Sequence, residues 1–80
     1  MKQVKLRYFA ILREEARKAE EWVETQAEDV AGLFAQLQQR YGFSLSAELV
    51  KVAINQEYRD FSSPIEAADE IVFIPPVAGG

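Results

Sequence analysis

The sequence predicts an α+β domain in which one mixed sheet packs on one main helix. Three observations carry that reading. Val4, Leu6 and Tyr8 alternate with Lys5 and Arg7, the period of a half-buried strand. Val30, Leu33, Phe34, Leu37 and Tyr41 recur at i, i+3, i+4, i+7 and i+11, a single apolar stripe on a helix. Glu70–Ile74 is a last apolar run, stopped by Pro75-Pro76. A helix apolar on one face only has one sheet to lie on.

The elements follow in order. The first strand leaves Phe9 on the face of Lys5 and Arg7, an aromatic on the solvent side. Residues 11–17 read as a short helix, with Leu12, Ala16 and Ala19 at helical spacing in a run of helix formers. Residues 21–25 read as a second strand because Trp22, Val23 and Thr25 favour extended backbone. Trp22 itself reads as core or edge packing. Asp29 is placed to cap the helix over 30–41, and Gly42 to end it in left-handed backbone. Leu45 and Leu49 suggest a helical turn. Residues 51–55 read as a strand with Val52 and Ile54 on one face, Gln56-Glu57 as a turn and residues 58–61 as a short second arm. Ser62-Ser63-Pro64 breaks the chain, and Ala68-Asp69 is a turn. One domain over 1–74 and a flexible tail over 75–80 follow from this order.

Composition excludes more than it suggests. Eighty residues leave little room for both a core and an elaborate cleft. With no cysteine and no histidine, the chain has no thiol nucleophile, disulfide or imidazole base, and metal ligation is not expected. A net charge of −4 without a basic stripe argues against a nucleic-acid partner. The first residues lack the apolar core of a signal peptide, and no apolar run reaches membrane-spanning length. A soluble, cytoplasmic protein with no membrane association is the expectation.

The chemistry points to the tail, Pro75-Pro76-Val77-Ala78-Gly79-Gly80. Its residues shrink towards Gly80, and its six residues span roughly 20 Å when extended. Gly79 has no side chain to block a narrow channel, and the carbonyl carbon of Gly80 is unshielded from either side. A carboxylate is a poor electrophile until activated. An acyl-adenylate made with ATP would activate it, and a sulfur donor could then turn it into a thiocarboxylate, a sulfur nucleophile that needs no cysteine. A Gly-Gly ending arises by chance about once in 200 sequences at average glycine usage, so the dipeptide alone decides nothing. Its place behind an apolar strand and a Pro-Pro stop adds weight.

Three segments together resemble a known family: Tyr8-Phe9-Ala10-Ile11-Leu12-Arg13-Glu14, Ala53-Ile54-Asn55-Gln56-Glu57-Tyr58, and Asp69 through Gly80 with its Pro-Pro-Val-Ala-Gly-Gly end. They are similar to the small subunit of molybdopterin synthase, the MoaD family. The resemblance implies a ubiquitin-like β-grasp fold. It implies that Gly80 is adenylated by an E1-like enzyme, MoeB, which uses ATP, and then sulfurated. It implies docking on the large subunit, MoaE, where sulfur passes to a cyclic pyranopterin precursor. The chain would be no enzyme on its own and would bind no cofactor itself. Sulfur carriers for thiazole synthesis or tRNA thiolation, and ubiquitin-like protein modifiers, are the alternatives. Where relatives carry Gly-Asp-Glu before the last strand, this chain has Ala68-Asp69-Glu70, which strains any turn needing positive φ.

Val72 and Ile74, alternating with the core residues Ile71 and Phe73, are expected with Phe9 on the sheet face away from the helix, the resemblance implies the same for Tyr58, and an apolar patch there marks a partner site. Pro75, Pro76 and Val77 would continue that contact. Asp69 and Glu70 are adjacent on extended backbone and point oppositely, so they are not a catalytic carboxylate pair. The charged run from Arg13 to Glu21 reads as a solvated face. Asn55 and Gln56 are expected to fix a hairpin.

Overall fold

The computed structural model describes residues 1–76. Strand β1 (Lys2–Tyr8) buries Val4, Leu6 and Tyr8 and turns Lys5 and Arg7 outward. Helix α1 (Ala10–Ala16) follows, then strand β2 (Glu20–Thr25) and the main helix α2 (Val30–Tyr41). A 3-10 turn at Ala47–Leu49 leads into β3 (Lys51–Ile54), β4 (Glu57–Arg59) and, after a long connection, β5 (Glu70–Ile74). The sheet order is β2-β1-β5-β3-β4. β1 and β5 run parallel, with Lys5 beside Glu70 and Tyr8 beside Phe73, and the other pairs are antiparallel.

The apolar stripe of α2 is the roof of the core. Val30, Leu33, Phe34 and Leu37 are buried against the inward residues of the strands, each worth about 1.5–3 kcal/mol of transfer free energy. Phe34 is the hub, its ring centroid 5.1 Å from Phe73, 5.6 Å from Phe61 and 5.9 Å from Phe43. The Asp29 side chain accepts from the Gly32 N–H at 2.9 Å, and Gly42 ends the helix at φ 69°, as the sequence predicts. The free N–H groups of Val30 and Ala31 donate to the carbonyls of Ser63 and Phe61, at 3.1 and 2.9 Å. This explains why Phe61 does not extend β4 as expected: the chain bends there to cap α2, and its ring packs on the core.

Three other expectations move. The hairpin turn is Asn55-Gln56, one residue earlier than Gln56-Glu57, because a two-residue turn matched to strand twist needs positive φ at both centres. Asn55 has φ 51° and Gln56 φ 73°. Helix α1 starts at Ala10 and hands over to a left-handed Arg17 at φ 64°. Trp22 is neither in the core nor tucked against the edge: it projects from the outward face of edge strand β2 and is 57% exposed. Ala68 does sit in a left-handed turn, at φ 70°, and its N–H donates to the Gln3 carbonyl at 2.7 Å.

Candidate functional site

The outward face of the sheet is built by register. Arg7 pairs with Val72, Val72 with Ala53 and Ala53 with Tyr58, so these four side chains form a row across four strands. Ala53 is small enough to be buried between its larger neighbours, Val72 is half-buried and Tyr58 is 75% exposed. Ile74, half-buried, sits opposite Lys51. Phe9 lies one step beyond the Tyr8–Phe73 pair, in the extended residue before α1, and is 42% exposed. The Arg7 guanidinium stands 5.8 Å from the Phe9 ring centroid, with its Nε 3.8 Å from Glu20 Oε2. The four residues expected to share one face are therefore brought onto one end of it, Tyr58 at the β4 edge and Phe9 and Ile74 where β5 finishes.

That end of the sheet is held from beneath. Glu21 Oε2 accepts from Tyr8 Oη and from Tyr41 Oη, each at 2.6 Å, and Lys18 Nζ lies 3.4 Å from Glu21 Oε1. Burial alone would raise the Glu21 pKa, but the hydrogen bonds from Tyr41 and Tyr8, with the Lys18 charge, outweigh it and hold the carboxyl below its ordinary value. Burial, then the hydrogen bond and negative charge of Glu21, push the Tyr8 phenol up. The neighbouring Tyr41 side chain, whose ring centroid lies 5.5 Å from Lys18 Nζ, and the charge of Glu21 raise the Lys18 pKa. Sequence reasoning missed this cluster. Glu21 looked like part of a solvated run, and only the inward phase of β2 shows that it turns under the sheet.

Pro75, expected among the partner contacts, is buried and presents no open surface; Pro76 is exposed. Val77, Gly79 and Gly80 lie outside the described residues. Asp69 accepts from Asn55 Nδ2 at 2.9 Å and from the Glu66 N–H at 2.7 Å, a turn-forming role. Among the described residues no cluster of three acidic side chains is arranged to hold a metal, and no helix is long and apolar enough to cross a membrane. A groove of about 920 Å³ runs between Val50, Lys51, Tyr58, Arg59 and Phe61, over strands β3 and β4, and its β3 side adjoins β5 where Lys51 pairs with Ile74. The outward face thus carries Phe9, Val72, Ile74 and Tyr58 in partly exposed positions, with the described chain leaving β5 next to Ile74.

Five strands in this order, with a parallel β1–β5 centre and α2 across one face, make the domain a ubiquitin-like β-grasp protein. The model of the ThiS family matches residues 6–80, and the chain belongs to that family. It is 39% identical, over the full length of both chains, to a molybdopterin synthase sulfur carrier subunit from Mycobacterium tuberculosis. Among solved structures it resembles the small archaeal modifier protein 1 of Methanosarcina acetivorans at 26% identity and a TM-score of 0.79, covering 100% of this chain and 98% of that one. It also resembles a chain in the complex of subunits 1 and 2 of the molybdopterin-converting factor from Helicobacter pylori, at 26% identity and a TM-score of 0.67, covering 98% of this chain and 99% of that one.

Proposed function

We propose that this chain is a sulfur carrier for molybdopterin synthesis, with the Gly80 carboxylate as its working group. The observation that carries the reading is the end-to-end identity of 39% with a sulfur carrier subunit of molybdopterin synthase. A carboxylate oxygen of Gly80 attacks the α-phosphate of ATP on an E1-like partner (MoeB), and pyrophosphate leaves. A sulfur nucleophile then attacks the acyl carbon, the C–O bond to AMP breaks, and the tail ends in a thiocarboxylate. On the large subunit (MoaE) that sulfur attacks a carbon of the pterin precursor and displaces an oxygen leaving group, and water then cleaves the acyl C–S bond, leaving sulfur on the pterin and restoring the Gly80 carboxylate. Gly79 gives the tail a slender approach, and Phe9, Tyr58, Val72, Ile74, Pro76 and Val77 form the docking contact. The domain supplies no catalytic side chain and no resident cofactor, and the reaction belongs to the cytoplasm.

The test is deletion of Gly80. Reach falls by roughly 3.3–3.6 Å, while a misplacement of about 1 Å at a reacting centre can cost a hundredfold. ATP–pyrophosphate exchange with the E1-like partner should vanish while binding to the large subunit persists. Exchange that survives the deletion removes Gly80 from the mechanism.

The resemblance to a small archaeal modifier favours a second reading, conjugation of Gly80 to lysines of other proteins. Mass spectrometry of protein from its own host separates the two. Replacement of one oxygen by sulfur marks the carrier, and covalent adducts of protein size mark the modifier.

A further inference from the structure

We infer that strand β4 is a self-complementary edge, through which two copies of this chain pair antiparallel about a two-fold axis. Among the described residues the sheet ends at two edges, β2 and β4, and they differ in what they can accept. On β2 the bond from the Tyr8 N–H to the Ala19 carbonyl sets the pairing phase, which turns the main-chain groups of Glu20, Trp22 and Glu24 outward. Gln36 Nε2 covers the Glu24 carbonyl at 3.1 Å. Glu20, Glu21 and Glu24 would bring like charges together in any self-pairing of that edge. β2 is thus blunted in the manner usual for natural edges.

β4 is different. Its two-residue turn closes on Ile54 and Glu57, and Val52 faces Arg59, so the intervening Tyr58 directs its N–H and C=O away from β3. The two-fold register centred on the strand places Tyr58 opposite Tyr58 of the second copy, the two exchanging a pair of N–H···O bonds. That register sets Glu57 against Arg59 of the second copy and Arg59 against its Glu57, two opposite-charge cross-strand pairs. Within one copy the same two side chains already meet at 2.7 Å on exposed surface, so their charges are available to a partner strand at little desolvation cost. Gln56 falls opposite Asp60 in the same register. The interface is isologous and closes after two copies. A three-residue edge buries far less than a standard interface, so the pairing is weak, concentration-dependent and weakened by salt.

The pairing leaves the Tyr58 ring on the outward face and uses none of the tail. It therefore stands apart from the carrier reading and is tested separately. β4 runs parallel to β5 within a copy and antiparallel across the axis, so the two chains leave their β5 strands at opposite ends of a ten-stranded sheet. The two β5 strands would lie about 24 Å apart, five strand spacings.

The experiment is sedimentation of the full chain over roughly a hundredfold range of concentration at low salt, with Arg59→Glu, Glu57→Arg, their equimolar mixture, and Tyr58→Pro. The average mass of the parent chain should rise with concentration. Each single charge variant should remain monomeric, and the mixture should associate at least as well as the parent. Tyr58→Pro keeps both charges, removes the outward N–H and should remain monomeric, its circular dichroism confirming the fold. A parent chain that stays monomeric throughout, or an Arg59→Glu variant that associates like the parent, overturns the pairing. So does a mixture that stays monomeric.

Discussion

Asn55 and Glu70 hold each other twice: the Asn55 N–H donates to the Glu70 carbonyl at 2.8 Å, and the Glu70 N–H donates back to Asn55 Oδ1 at 2.9 Å. Asn55 Nδ2 reaches on to Asp69. One side chain thus joins the β3–β4 turn to the start of the strand that carries the chain exit. Asn55→Ala loses both side-chain bonds and places a Cβ residue without asparagine's tolerance at φ 51°. A loss of about 1–2 kcal/mol is expected, read as a lower urea midpoint. Asn55→Asp keeps the acceptor for Glu70 but sets a carboxylate against Asp69, so its deficit should shrink as the pH is lowered towards 4. A deficit independent of pH would assign the loss to backbone strain alone.

Ala68 is strained by its turn, and the remedy is the loss of its methyl group. Ala68→Gly relieves the left-handed cost but loosens the unfolded chain, and the first term is the larger. A gain of roughly 0.5–1 kcal/mol in thermal or urea unfolding is expected. A destabilised Ala68→Gly variant would mean that the Ala68 methyl contributes packing.

The Tyr8–Glu21–Tyr41 cluster makes stability depend on pH at both extremes. Glu21 has its pKa lowered by folding, so its contribution is complete above the ordinary value of 4.5 and is lost as pH falls through the lower folded value. Tyr8 has its pKa raised, so the unfolded state ionises first, and stability falls as pH rises above the ordinary value of 10.0. Tyr8→Phe should cost about 1.5 kcal/mol at neutral pH, reduce the acid-side loss and abolish the alkaline-side loss due to Tyr8. Parallel pH profiles for the two proteins would exclude the cluster as the cause.

Ile74→Asp places a charge in the outward apolar strip without entering the core. Binding to the large subunit should weaken by on the order of 2–4 kcal/mol, and the unfolding midpoint should barely move. Calorimetric titration beside a denaturation curve checks both halves. Unaltered affinity would remove Ile74 from the contact.

The α2 stripe, the β1 alternation and the Pro-Pro stop were legible because each is a local pattern that one element imposes on its own residues. So were the Asp29 cap and the Gly42 exit. What was not legible depends on partners far away in the chain. The outward placement of Trp22 follows from β2 being an edge, which only the strand order decides. The turn of Glu21 beneath the sheet needs Tyr8 and Tyr41 brought from either side. Burial of Pro75 and the retreat of Phe61 from β4 are set by how connections pack, about which single residues say nothing. Phe9 and Ile74 were placed correctly on the outward face, but their neighbourhood comes from the parallel β1–β5 register.

That parallel register also orders events in time. The strand that leads to the tail is the central member of the sheet, and its pairing with β1 joins residues as far apart in sequence as Lys5 and Glu70. Closing so long a loop is entropically costly and slow to be rewarded, and both neighbours of β5 must already be present to receive it. A partly made or unfolded chain therefore lacks the outward sheet face built on β5, even when Gly80 has been synthesised. On the proposed carrier reading, an activating enzyme that reads that face as well as the glycines would reject such chains, and the position of β5 would make completed folding a condition of being charged.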